Sequence, residues 1–410
     1  MSPPDSLSIQ PDDSTPAVGR PWGKWLWLLL LGALVTKSIV ESDQHTTFPG
    51  FVRGSELFLA DKDPYISSFW EYRYSPAFAT TFSIFTAVPT RLGGAIWNLA
   101  TIGVLWWGIQ QLLKYVLPQR WGADRREVFY GLVLLVALRG LWASQTTPIV
   151  IALVCGAAAA IVRERWWRAA YLLAIPVFIK VWPLALALLF LSGRPRQLIL
   201  RFGLALASLA LIPLAIKSPT VVWWQYQNWM QALFGPMQVR HIYRDLWALW
   251  EAVYPPVSSK GYLVLQLGSA LAVLGLCLWQ RFRAPTVGHW CTFVLSMWSG
   301  WQLCIGPGVE RNTFCLAAPL LAWGLMSSRE TRIGHGMMLA SVSLIVIFSF
   351  GVCERELVQY VPAVLGALPI GALIYAVWAV QHARDWTSAE SALKRSQSAA
   401  DTSVTLRGAA

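Results

Sequence analysis

Apolar runs follow one another along this chain with only short polar breaks between them. They lie near residues 25–40, 76–113, 128–143, 147–162, 169–180, 183–193, 198–216, 262–279, 289–304, 312–327, 336–352 and 363–380. A helix needs roughly 20 apolar residues to cross a bilayer, and many of these runs reach or approach that length. Lipid offers backbone N–H and C=O groups no partner, so each run is expected to satisfy its own as a helix. The pattern therefore predicts an all-α, polytopic membrane protein with about 12 transmembrane helices. Runs shorter than about 17 residues are expected to include half-helices. Pro89, Arg91, Gly93 and Gly94 interrupt the run 76–113, which reads as one span plus a re-entrant or interfacial piece.

Charge orients the pattern. Lys114/Arg120/Arg125/Arg126, Arg163/Arg165/Arg168, Arg194/Arg196/Arg201, Arg281/Arg283, Arg329/Arg332 and Arg384/Lys394/Arg395 all fall on one side if both termini are cytoplasmic and crossings alternate. Four regions then lie outside: 41–75, the turn near Lys180–Pro183, 217–261 and the turn 305–311. Residues 1–24 read as a disordered cytoplasmic N-terminus, 25–383 as the integral membrane domain and 384–410 as a cytoplasmic tail. The expected location is an integral, multi-pass position in a bacterial plasma membrane.

Composition agrees. The chain is 56% hydrophobic and 13% charged, about half the charged share of a soluble domain. The net charge of +12 does not point to nucleic acid, because the Lys and Arg sit in short loops between apolar runs rather than on one soluble face. The six Cys show no metal-ligand spacing and lie in or beside apolar runs.

The first outside loop concentrates acid. It carries Glu41, Asp43, Glu56, Asp61, Asp63 and Glu71 against Arg53, Lys62 and Arg73. A partly desolvated carboxylate at a membrane interface suits a general base; outside loops are also acidic without any catalytic role. Asp63-Pro64-Tyr65 and Tyr72-Arg73-Tyr74-Ser75-Pro76 read as a structured re-entry, or as a turn and a helix entry. Lys180 lies between two apolar stretches, where a cation is costly and marks a functional position unless it snorkels to the interface. Arg139 and Gln145 flank another outside turn. Arg240 and Arg244 are four apart and would share one helix face beside His241, a face suited to a phosphate or to a lipid headgroup. Glu310-Arg311 sits in a compact polar turn, as a site pair or as a simple ion pair.

These pieces, in this order, resemble the polyprenol-phosphate-mannose-dependent glycosyltransferases of family 87, membrane enzymes of the C type. An acidic residue follows the first helix, here Asp43. Ala60-Asp61-Lys62-Asp63-Pro64-Tyr65 follows it, then Tyr72 to Ala79, then Ser144-Gln145-Thr146-Thr147 where the family has Gly-Gln-x-Asn, then Lys180-Val-Trp-Pro183 and Arg194-Pro-Arg196. The family's Ser-Pro-x-Ser-Trp-x-His element is replaced by Gly306 to Asn312, which leaves Arg311 in place of a phosphate-facing His and puts mannose itself in question. The resemblance implies a C-type architecture and inverting transfer of a hexose from a polyprenyl-phosphate sugar donor to a membrane glycolipid or glycan acceptor on the non-cytoplasmic face, with no metal and no cofactor. It implies Asp43 as the base. Lys180, Arg240, Arg244 or Arg311 would hold the donor phosphate, and Tyr65, Tyr74, Gln145, His241 and Glu310 would line the substrates. A transporter or flippase of lipid-linked sugar is the alternative, needing the lipid groove and the outside cations but no base. A structural membrane subunit is the third reading, disfavoured by the charges beside helices.

Overall fold

The structure, a computed structural model, describes residues 21–41, 46–65, 72–119, 121–234, 243–253 and 259–386. Asp43, Arg240 and His241 lie outside the described residues. Among those described there is no strand; the chain is helical throughout, as the apolar pattern requires.

Helix α1 (Trp22–Val40) is followed by α2 (Phe48–Leu59), α3 (Pro76–Phe82), α4 (Thr90–Gln111), α5 (Ala123–Trp142), α6 (Thr147–Val162), α7 (Trp166–Ile179), α8 (Pro183–Gly193) and α9 (Pro195–Ala210). Then come α10 (Pro219–Phe234), α11 (Leu246–Val253), α12 (Ser259–Arg283), α13 (Val287–Cys304), α14 (Ala318–Ser327), α15 (Arg332–Ser349) and α16 (Val352–Leu357). The last, α17, is the apolar helix Val364–Trp386. Pro begins several of these because its missing N–H costs nothing in a first turn; α8 and α9 open on Pro183 and Pro195.

The long helices run back and forth between two ends. At one end Lys114 and Arg163 flank the Tyr115 ring, Arg168 lies over Trp107, Arg201 over Trp167, and Lys24 reaches Glu127 at 3.7 Å. This is the cationic end, where three of the basic clusters gather. The opposite end gathers the short helices α2, α3 and α10 and the turns between spans. The separation of charge follows from the alternating chain direction, which returns every second loop to the same side.

About twelve crossings are expected from the sequence, whereas six described helices are long and apolar enough to cross a membrane. The difference has physical causes. Helices α6, α7 and α8 have 16, 14 and 11 residues. Helix α5 begins with Asp124, Arg125, Arg126 and Glu127. Helix α13 carries Thr292, Ser296, Ser299 and Gln302, all buried inside the bundle. The run 76–113 resolves into α3 with a 3-10 turn, a break at Pro89, and α4, which continues through a π turn to Val116. One long span plus a short accessory piece is thus what the sequence interruption encodes.

Helix α6 is the centre of the bundle: its run Val154–Ile161 is buried, four consecutive alanines included. Small side chains let neighbouring backbones approach closely where apolar burial alone gives no drive in lipid. Helix α12, by contrast, keeps Leu263, Val264, Leu265, Leu267 and Leu271 exposed, an outward face that suits acyl chains rather than water. The five described cysteines are buried and free, as expected of small core hydrophobes.

Candidate active site at the polar end

Segments expected on the outside meet at the polar end, and hydrogen bonds fix how. Ser75 is the N-cap of α3: its hydroxyl accepts from Phe78 N at 3.1 Å and donates to the Phe178 carbonyl at 2.6 Å. Ser-Pro is the local reason, since the Ser oxygen satisfies an orphan N–H and Pro76 has none to satisfy. One residue earlier lies Tyr74; two residues after Phe178 lies Lys180. The Ser75 clamp thus sets the re-entry against the end of α7.

Lys180 stands in extended conformation after α7, and its Nζ donates to Thr147 Oγ1 at 3.2 Å. Burial lowers the Lys180 pKa, and the charges of Glu310 and then Cys315 oppose that shift. Tyr74 Oη lies 3.5 Å from Thr146 Oγ1. Burial pushes its phenol above the ordinary tyrosine range; the Thr146 contact opposes and Glu310 adds to the rise. Tyr65 Oη donates to the Tyr74 carbonyl at 3.0 Å. Burial, then Tyr72 and Asp63, raise the Tyr65 phenol too. Both tyrosines therefore stay protonated donors at physiological pH. Tyr65, Tyr74, Thr146, Thr147, Lys180 and Glu310 form one connected polar region.

Glu310 is held locally. Its side chain accepts from the Thr313 backbone, and Glu310 N donates to Thr313 Oγ1 at 3.1 Å, a reciprocal cap on the 3-10 turn Arg311–Ala317. Gln145 is buried in the tight turn after α5, with its N–H on the Gly140 carbonyl at 3.1 Å. Ser144 there adopts φ +52. Trp97 Nε1 donates to the Ser144 carbonyl at 2.9 Å.

The chain on either side of Asp43 is tied to this same turn. Lys37 Nζ, near the end of α1, donates to the Trp142 carbonyl at 2.7 Å. Thr47 N donates to the Ala143 carbonyl at 3.0 Å, and Thr47 Oγ1 is 3.2 Å from the carbonyls of Ala143 and Ser144. Lys37 and Thr47 are therefore both tied to the turn that leads into Gln145 and Thr146.

Other carboxylates of the first loop have structural partners. Asp61 pairs with Lys217 at 2.5 Å, whose Nζ also donates to the Leu59 carbonyl at 2.6 Å. Asp63 Oδ1 accepts from Tyr65 N at 2.8 Å and its Oδ2 from Asn228 Nδ2 at 2.9 Å. Gln225 Nε2 and Trp229 Nε1 bind the carbonyls of Lys62 and Arg73. Helix α10 is thus the shelf on which the loop lies. Glu56 pairs with Arg53 at 3.1 Å. Both atoms of Asp63 are spent on positioning, so Asp-Pro-Tyr here is a structural turn.

One expectation is corrected. Arg244 does not extend a helix face: Tyr243 and Glu310 form an antiparallel bridge, Arg244 N donates to the Val309 carbonyl at 2.7 Å, and α11 begins only at Leu246. The cause is Asp245, whose Oδ1 caps Ala248 N at 3.0 Å and starts the helix after it. The Arg244 guanidinium turns back to the Tyr243 carbonyl at 2.6 Å and is buried. Arg311 lies against Gly351, with its Nε 3.1 Å from where a Cβ would stand, so it faces the turn after α15. The backbone thus sets Arg244 beside the Glu310 turn, while the Arg311 side chain reaches Gly351.

Sequence reasoning missed Thr147 as a contact. Its hydroxyl receives the Lys180 ammonium. Beside the Tyr243–Glu310 bridge lies a cavity of about 110 Å³ lined by Tyr243, Asp245, Trp247, Glu251 and Tyr262. Trp247 and Tyr262 pack at 4.3 Å, so the cavity joins aromatic faces to carboxylates, the chemistry that receives a polyhydroxyl ring.

Residues 72–304 match the sequence profile of glycosyltransferase family 87. The match takes in Tyr74, Gln145, Lys180 and Arg244 and leaves out Asp43, Tyr65, Glu310 and Arg311. Among solved structures, the chain is similar to the crystal structure of ArnT from Cupriavidus metallidurans bound to undecaprenyl phosphate, at 16% identity over 88% of this chain and 77% of that one, with a TM-score of 0.37. The apo state of the same protein gives 14% identity, 89% and 78% coverage and a TM-score of 0.39. No curated protein matches.

Proposed function

The chain belongs to glycosyltransferase family 87, and from that premise we propose that it transfers a hexose, mannose first among candidates, from a polyprenyl-phosphate donor to a membrane glycolipid or glycan at the polar end. The acceptor hydroxyl oxygen attacks the anomeric carbon. The Asp43 carboxylate takes the hydroxyl proton as the new C–O bond forms. The bond from the anomeric carbon to the phosphate oxygen breaks, and polyprenyl phosphate leaves with the electron pair. A single displacement inverts the anomeric configuration. Lys180 stabilises the charge growing on the leaving phosphate, which is where a fixed cation lowers a barrier most.

The observation that carries the reading is the half-buried Lys180 ammonium, held by Thr147 and within the field of the Glu310 charge. A cation kept at that cost marks a functional position. Tyr74 and Thr146 supply neutral donors beside it. The ties of Lys37 and Thr47 to the turn before Gln145 and Thr146 support Asp43 as the base, as do the structural partners held by Asp61 and Asp63. Family membership favours this enzyme over a transporter of lipid-linked sugar.

The test is transfer by purified protein in lipid from labelled polyprenyl-phosphate-mannose, and from other polyprenyl-phosphate sugars, to a panel of glycolipid acceptors. Product of inverted anomeric configuration is the expected result. Movement of labelled lipid across vesicles with no product from any donor would overturn it in favour of transport.

A further inference from the structure

At the cationic end, a cavity of about 240 Å³ is lined by Arg194, Arg281, Ala284, Pro285, Thr286, Val287 and Trp290. Three separate stretches build it: the turn between α8 and α9, the end of α12, and the start of α13. Helix α13 is 18 residues long and leads from this cavity to the polar end, about 27 Å away at 1.5 Å per residue. The two places are therefore distinct.

Two arginines share this cavity and feel each other's charge. Its lining holds no carboxylate. Neither guanidinium has a hydrogen bond or ion pair among the described residues, and the Nε of each is enclosed without a partner. Arg281 makes only a ring contact, over Phe282 at 5.3 Å. The N-terminus of α13 points its first-turn N–H groups to the same place; Thr286 caps one of them, His289 N, at 3.3 Å. Two uncompensated guanidinium groups and a helix N-terminus all favour an anion.

One wall is fixed by packing. Trp290 lies on the backbone of Gly193, where a Cβ would come within 2.2 Å of the indole. Its Nε1 donates to the Cys277 carbonyl at 3.1 Å, tying α13 to α12. Phe282, next to Arg281 on α12, and Ile199 and Leu200, on the α9 helix that follows Arg194, are exposed, apolar surface that fits acyl chains.

We propose that Arg194, Arg281 and the start of α13 form a binding site for a phosphate group, carried by an anionic phospholipid whose chains lie on α9 and α12. Cationic pockets between transmembrane helices take lipid headgroups in this way. The site is separate from the transfer chemistry and does not depend on it.

The experiment is native mass spectrometry of the full chain purified with phosphatidylglycerol, compared with R194Q/R281Q, with R194K/R281K, and with R196Q, which removes a neighbouring charge outside the cavity. Removing two charge-assisted contacts is expected to cut retention of a bound lipid at least ~10-fold. R196Q keeps it, and R194K/R281K keeps part of it. Thermal melts in phosphatidylcholine show whether each variant is folded. Displacement of the lipid by millimolar inorganic phosphate identifies a soluble phosphate as the competing source of the same chemistry; resistance to displacement identifies the lipid. Equal retention by wild type and folded R194Q/R281Q, with no inorganic phosphate effect in either, would overturn the site.

Discussion

The ammonium of Lys180 donates to the hydroxyl of Thr147 at 3.2 Å, joining the break between α7 and α8 to the first turn of α6. That bond places a cation inside the polar end, and no carboxylate salt bridge among the described residues neutralises it directly. The proposed leaving phosphate completes its coordination.

Replacing Lys180 by Ala should therefore lower kcat/KM by roughly 10- to 100-fold, the scale of one charge-assisted contact. Steady-state kinetics in lipid checks this. Thr147→Val should cost less, because the ammonium remains and only its orientation is lost.

The same residue sets a pH limit. Burial lowers the Lys180 pKa below the ordinary lysine value, so the free enzyme loses this proton at a lower pH than a surface lysine does. The alkaline limb of kcat/KM should fall there. Lys180→Arg should remove that limb, since a guanidinium keeps its proton. Stability should move the other way. Between the lowered pKa and the ordinary value the unfolded chain binds the extra proton, so wild-type stability rises with pH across that window.

Tyr72 offers a steric test. The Gly54 backbone lies so close that an added Cβ would stand 2.2 Å from its Cε2. Gly54→Ala should destabilise the protein by about 1–3 kcal/mol through overpacking, read as a lower Tm, and should disturb the Tyr72–Tyr74 re-entry.

Much of this was legible in the sequence. The apolar runs located most helices, and the basic clusters located the cationic end. Ser75-Pro76 and Lys180-x-x-Pro183 carried local capping and break signals that need no tertiary information. The structure showed what a linear pattern cannot: Asp63 and Asn228 are 165 positions apart, so nothing in the chain order marks Asp63 as a brace rather than a base. The helix face expected at Arg244 gave way for a similar reason. Its four-residue spacing from Arg240 suggested a helix, but pairing with the Glu310 turn, distant in sequence, fixed it as extended.

That brace makes a further prediction. Asp63→Ala and Asn228→Ala should each lower Tm, and the double variant should cost less than their sum by about 0.5–1.5 kcal/mol. Asp61→Asn and Asp63→Asn should keep turnover near wild type wherever the fold survives.

The most direct measurement is single-turnover transfer by Asp43→Asn in lipid, beside wild type and Asp63→Asn. A general base predicts a rate lower by roughly 10²–10⁴-fold for Asp43→Asn, donor binding unchanged, and little change for Asp63→Asn. A transfer rate for folded Asp43→Asn within a few-fold of wild type would contradict the account.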